Sequence, residues 1–197
     1  MSLAIIDSGG ANIASVRYAL QRLGADPVFT ADRAVIESAD RVILPGVGAA
    51  GAAMDHLRSQ GLIDCIRSLT QPVLGICLGM QLLFESSAED DVACLGILPG
   101  RLEHFPSAPG LRVPHMGWNH TAQQREDPLL TDLGQEPWFY FVHSYYAPLG
   151  ATTLASANHG LEFSAMVQQG NFRGAQFHPE RSAKAGAQVL KNFLELP

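Results

Sequence analysis

Along the first 80 residues, short uninterrupted apolar runs alternate with stretches whose apolar residues recur at helical spacing. LAIID (3–7), PVFT (27–30), RVILPG (41–46) and PVLGI (72–76) have the length and the flanking breakers of strands. Between them, NIASVRYALQRLG (12–24) reads as a helix, with Asn12 placed as N-cap and Gly24 at its end. A polar segment around 32–39, GAAMDHLRSQGLIDCIRSL (51–69) and LGMQLLFESS (78–87) predict three more helices. This alternation predicts an α/β chain with a largely parallel central sheet.

Beyond residue 90 the pattern changes. CLGILPG, RLEHF, PWFYFVHSYYAPL, TTLASANHG and FSAMVQQGNFRGAQFHPE are apolar runs separated by Gly and Pro, which predicts strands and hairpins, partly antiparallel. SAKAGAQVLKNFLEL (182–196) closes the chain as an amphipathic helix, with Ala187, Leu190, Phe193 and Leu194 on one face. No internal repeat or linker interrupts the 197 residues, which read as one domain, 1–197.

Composition narrows the function classes. The chain is 47% hydrophobic and 16% charged, with a net charge of −6, which fits a soluble protein and argues against a nucleic-acid partner. No apolar run approaches the ~20 residues of a membrane span, and the N-terminus lacks the basic flank of a signal peptide. Cys65, Cys77 and Cys94 form an odd, widely spaced set without a CxxC pair, which speaks against disulfides and against a thiolate zinc site and favours a reducing cytoplasm. Gly9-Gly10 is not a dinucleotide fingerprint and no phosphate loop is present, so neither a cofactor nor a metal is expected.

The thiols differ in context. Cys77 stands in GICLG, between two glycines where a strand gives way to a helix, the form of a nucleophile elbow. There the unpaired N–H groups of the helix start favour a thiolate, and the Leu78 N–H is placed to donate to an oxyanion. The motif alone fits a small buried hydrophobe equally well. Cys65 and Cys94 lie in apolar runs and read as core. A thiol nucleophile needs a base, and GAQFHPE offers one: His178 and Glu180 are two apart on an extended segment, so both side chains emerge on one face. Together they supply an imidazole and a carboxylate that holds its tautomer, although such a pair is also common on a solvated edge. LPGVG (44–48) ends a strand in a Gly-rich turn whose N–H groups could complete an oxyanion hole beside Cys77.

GICLGMQ, followed a hundred residues later by FHPE, resembles the class I, or triad, glutamine amidotransferase family. LPGVGAAGAAM, VPHMGWN (113–119), YFVHSYY (140–146) and GAQFHPERS (174–182) are similar to one branch of it, the glutaminase subunits of imidazole glycerol phosphate synthase in histidine biosynthesis. The similarity runs nearly end to end. It implies the three-layer, flavodoxin-like class I amidotransferase fold, with a mostly parallel sheet and an antiparallel C-terminal portion. It further implies that Cys77 attacks the carboxamide carbon of L-glutamine, that His178 serves as base and then as acid for departing ammonia, and that Glu180 holds His178. Val47, Gly48 and Leu78 match the oxyanion hole; Gly46, Gln81, His143, Ser144 and Tyr145 match positions around the glutamine. The implied partner is the barrel-shaped cyclase subunit, in a heterodimer, with Asn12, Tyr140 and Arg181 at interface positions. The cyclase uses the ammonia to make imidazole glycerol phosphate and an aminoimidazole carboxamide ribotide.

Sibling amidotransferases serving anthranilate, pyridoxal phosphate or guanylate synthesis are the nearest competing reading, and PHMGWN and PGVG discriminate against them. A non-catalytic subunit on the same scaffold is expected to have lost Cys77, His178 or Glu180, and all three are present.

Overall fold

A computed structural model describes residues 1–10 and 13–197. Among them, the main sheet has eight strands: β1 (Leu3–Ile6), β2 (Val28–Thr30), β3 (Arg41–Gly46), β4 (Val73–Cys77), β9 (Ala122–Gln123), β12 (Thr153–Asn158), β13 (Glu162–Gln169) and β14 (Phe172–Ala175). Their order is β2-β1-β3-β4-β14-β13-β12-β9. The first five strands are parallel and the last three antiparallel, as the change of sequence style predicts.

Strands β1 and β4 are apolar throughout, and β3 beyond Arg41, because each face meets its own core. Leu3 and Ile5 of β1, Ile43 of β3 and Leu74 and Ile76 of β4 point to one side, where they meet α1 (Ile13–Arg22) and α6 (Ala183–Glu195). The alternate residues Ala4, Ile6, Val42, Leu44 and Val73 point to the other, against α2 (Arg33–Ser38), α3 (Ala50–Ser59), α4 (Leu62–Ser68) and α5 (Leu78–Gln81). Burying apolar area on both faces, at about 25 cal/mol per Å², is what holds a parallel sheet between two helical layers. Two smaller sheets flank this unit: β8 (His115–His120) with β10 (Trp138–His143), and β11 (Tyr145–Tyr146), β7 (Leu98–His104), β5 (Phe84–Ser87) and β6 (Val92–Ala93). No helix among the described residues is long and apolar enough to cross a membrane.

Four sequence expectations are corrected. The helix predicted over 51–69 is two helices, because Gly61 takes φ +66 and turns the chain between them. The helix predicted over 78–87 stops at Gln81; residues 84–87 instead pair with β7 and β6, a tertiary ladder overriding local period. The inward face of α6 is Gly186, Val189, Leu190 and Phe193, whereas Ala187 is exposed and Leu194 only half-buried. Residues 179–181 form one 3-10 turn rather than an extended segment, since Pro179 has the fixed φ that suits a first helical position. The N-cap role expected of Asn12 lies outside the described residues; Gly24 does close its helix in the left-handed region, at φ +83.

Candidate active site

Cys77 is the last residue of β4, and its backbone (φ 54, ψ −114) turns sharply into α5. The glycines around it make that turn sterically possible. A Cβ on Gly79 would overlap the carbonyl oxygen of Leu44, and one on Gly75 would come within 2.7 Å of the Gly79 carbonyl and the Met80 nitrogen. A Cβ on Gly46, which pairs with Cys77 across β3 and β4, would meet the Gly79 nitrogen at 2.7 Å. Residues 46, 75 and 79 are therefore one close-packed junction in which a β-carbon has no room. Because α5 is a single turn, the field at the thiol is that of a few local N–H groups, not of a long helix dipole.

His178 reaches the site from the end of β14, the strand next to β4. Its backbone is clamped: its N–H donates to Tyr140 O at 2.9 Å, and its carbonyl accepts from Ser182 Oγ at 2.7 Å. Ser182 Oγ in turn accepts from the Tyr140 N–H at 2.9 Å. Nδ1 of His178 donates to Glu180 Oε1 at 2.9 Å, so the pairing expected from sequence is present although the intervening backbone is a turn. Burial pushes the imidazole pKa down, but hydrogen bonding and charge attraction from Cys77 and Glu180 outweigh it, leaving it raised to about 10. At neutral pH this ring holds a proton. By contrast, burial raises the Cys94 thiol to about 11 and also raises Cys65, in line with their place in the core.

A pocket of about 330 Å³ opens over the thiol, lined by Val47, Gly48, Cys77, Leu78, Gln81, His143, Ser144, Tyr145 and His178, with Glu89, Pro114 and Val142 completing it. Every residue the sequence assigned to the oxyanion hole faces this space, and so does every assigned glutamine contact except Gly46. Gly46, packed against Gly79, lines instead an adjoining cavity of about 20 Å³ on the far side of Val47 and His178, together with Ser8 and Glu180. The turn after β3 is tied at both shoulders: Ser8 Oγ donates to Pro45 O at 2.6 Å, and the Ala50 N–H donates to Glu89 Oε2 at 2.8 Å. Tyr140 and Arg181 lie outside the pocket and touch each other, the guanidinium 5.6 Å from the ring centroid. Asn12 falls outside the described residues.

Three polar residues escaped the sequence reading. Gln176 is fully buried; its Oε1 accepts from Gln81 Nε2 at 2.9 Å, and its Nε2 lies 4.0 Å from Cys77 Sγ. Its signal was a lone amide in an apolar run, two residues before His178. Ser182 stands just before the closing helix, yet its side chain caps nothing there and clamps His178 instead. Glu89 sits in an exposed-looking acidic run, EDD at 89–91, and nothing in its spacing marks it as part of a pocket wall.

Chemically, the arrangement offers a strained thiol, a protonated imidazole aligned by a carboxylate, and a Gly-flanked turn facing both, which is the equipment of acyl transfer through a thioester. Residues 4–196 match the family described as glutamine amidotransferase class-I. The chain is 57% identical over 194 residues to "Imidazole glycerol phosphate synthase subunit HisH" of Xanthomonas euvesicatoria pv. vesicatoria (strain 85-10), covering 98% of this chain and 97% of that one. It is 56% identical, with the same coverage, to the protein of that name from Xylella fastidiosa (strain Temecula1 / ATCC 700964). Among solved structures, a glutamine amidotransferase superposes with a TM-score of 0.76 at 20% identity, covering 99% of this chain and 98% of that one. PurLQS from Thermotoga maritima superposes with 0.72 at 19%, covering 98% and 97%. Fold, site geometry and family match agree, and the chain belongs to the class I glutamine amidotransferases.

Proposed function

We propose that this chain is the glutaminase subunit of imidazole glycerol phosphate synthase and hydrolyses L-glutamine through Cys77, His178 and Glu180. The observation that carries the reading is the 2.9 Å His178–Glu180 pair, whose imidazole shares a pocket with the elbow thiol, in a chain 57% identical to a protein of that name.

The thiolate of Cys77 adds to the carboxamide carbon, and the developing oxyanion accepts from backbone N–H groups of Val47, Gly48 and Leu78. His178, already protonated, gives its proton to the leaving nitrogen, so the C–N bond breaks with release of neutral ammonia and a glutamyl thioester remains. The neutral imidazole then takes a proton from water as its oxygen attacks the thioester, and cleavage of the C–S bond yields glutamate and frees Cys77 for another turnover. The raised pKa of His178 suits it to hand a proton to the leaving nitrogen. In the pocket wall, Glu89 is the group that suits the substrate's α-ammonium, and Gln81 presents Oε1, because its Nε2 donates to Tyr145 O and Gln176 Oε1.

Ammonia protonates in water, so it is expected to pass directly to the cyclase subunit in a cytoplasmic heterodimer. The face suited to that partner is the outer side of the β8–β10 ribbon, where Met116, Trp118 and Trp138 are exposed beside the Tyr140–Arg181 pair. The test is glutamate production with and without purified cyclase and its nucleotide ligand. Hydrolysis should require Cys77 and rise with the liganded cyclase; undiminished hydrolysis by a Cys77→Ala chain sinks the reading.

A further inference from the structure

Behind the pocket wall, three side chains are joined in series. Asn119 Nδ2 lies 3.3 Å from His115 Nε2, His115 Nδ1 lies 3.0 Å from His143 Nε2, and His143 Nδ1 lies 2.8 Å from the carbonyl oxygen of Tyr145. The ends fix the direction of every link. A carbonyl only accepts, so His143 carries a proton on Nδ1; in a neutral ring Nε2 is then an acceptor, and His115 must donate to it from Nδ1. Nε2 of His115 must therefore accept, and what faces it is the amide nitrogen of Asn119. That amide's orientation is set independently, since the same nitrogen donates to Asn158 O at 2.8 Å. The series is anchored at both ends on main-chain carbonyls and admits one proton arrangement.

The surroundings keep both rings neutral. His115 and His143 are buried among Phe105, Phe141 and Phe163. The His159 ring stacks on His115 at 4.2 Å, with its own Nε2 2.7 Å from the Arg112 carbonyl, and the charged His178 lies on the pocket side of His143. Burial, with these neighbours, lowers His115 to about 4 and His143 to about 3. The Tyr145 carbonyl where the series ends also accepts from Gln81 Nε2 at 3.0 Å, so one oxygen holds two elements of the pocket wall together.

We propose that Asn119 and His115 are positioning residues for glutamine: they impose a single tautomer on His143 and thereby lock the 143–145 segment and Gln81 into the shape that binds the substrate. This rests on the reading of the pocket as the glutamine site.

Two measurements test it. Two-bond proton–nitrogen NMR correlations on the unaltered, 15N-labelled chain at pH 7 should show His115 and His143 both neutral and both protonated on Nδ1. Protonation of either on Nε2, or a charged ring, overturns the proposal whether or not any variant folds. Glutaminase kinetics with the liganded cyclase supply the second readout. Asn119→Asp turns the donor into an acceptor at the same size, and His115→Phe removes the donor while keeping a ring; each should raise KM for glutamine about tenfold, the loss of one well-placed hydrogen bond, with kcat within about threefold. His115→Asn, which can put an N–H at the position of Nδ1, should bring KM back to within about threefold of the unaltered chain. Unchanged KM in Asn119→Asp overturns the positioning role. Absence of glutamine hydrolysis by the unaltered chain would instead refute the reading of the pocket, with the NMR result still deciding the proton arrangement.

Discussion

Glu180 Oε1 accepts from His178 Nδ1 at 2.9 Å, while Glu180 Oε2 has no partner among the described residues and the side chain is 2% exposed. A buried carboxylate with one hydrogen bond directs its charge at that single donor, and it joins Cys77 in raising the imidazole pKa against the effect of burial. Glu180→Gln keeps the shape and removes the charge. The expected result is a fall in kcat of about 10²–10⁴-fold with KM little changed, as when a triad carboxylate loses its charge, and a lowered His178 pKa in an NMR titration. A kcat within threefold of the parent's would show that the pair is not catalytic.

The buried histidines set the pH range of stability. His178 is raised above its ordinary 6.5, so its contribution is complete below that pH and is lost as pH rises through about 10. His115 and His143 are lowered, so the unfolded chain binds protons that the folded chain refuses. Stability falls as pH drops below 6.5, levelling off only beneath about 4 and about 3. Denaturant midpoints measured from pH 4 to 10 should peak near neutrality, and the acid limb should be shallower in His115→Phe. An acid limb of unchanged slope in that variant contradicts the assignment.

The glycine junction under the thiol predicts a graded series. Gly79→Ala and Gly75→Ala drive a methyl group into backbone atoms that cannot move separately, and each should cost at least about 2–3 kcal/mol of stability, the upper range of overpacking. Gly150→Ala, with open space around it, should stay within about 0.5 kcal/mol. Thermal or denaturant unfolding of the three variants separates a packing role from general intolerance of alanine; equal effects in all three rule the junction out.

The aromatic ribbon carries the partner prediction. Trp118→Ala and Trp138→Ala remove exposed surface from the outer face of the ribbon and leave Cys77, His178 and Glu180 unaltered. Each should weaken binding to the cyclase at least about tenfold, the cost typical of a buried aromatic anchor, in a titration read by calorimetry. Unaltered affinity in both variants places the interface elsewhere.

Much of this architecture was legible in the residues because punctuation and period agreed. RVILPG ends its strand at Gly46 in the structure as in the sequence, and GICLG marks the elbow through glycines that steric contact makes obligatory. Residues 84–87 misled because FESS keeps the period of the helix before it, and the strands that claim it lie up to fifteen residues further on. Gln176, Ser182 and Glu89 stayed hidden for another reason: a single polar residue does not announce in sequence what it faces, and Gln176 and Ser182 take their roles from burial while Glu89 takes its from a place in the pocket wall. His178 and Glu180 were paired for a reason that only partly holds, since a proline-started turn, not strand alternation, brings them together.

Strands β3, β4 and β14 are adjacent, with Gly46 opposite Cys77 and Ala175 opposite Ile76. The turn that faces the thiol, the thiol itself and the imidazole thus ride on three neighbouring rungs, about 4.8 Å apart, whose spacing is set by the backbone ladder. A ladder of that kind cannot be stretched to disarm the enzyme or squeezed to arm it. The backbone leaves that ladder where the rung of β3 runs out, at Val47 and at Gly48 with its φ of +94, a value open to glycine. A timing signal from another protein would act there, as a pawl acts on a ratchet whose teeth never change their pitch.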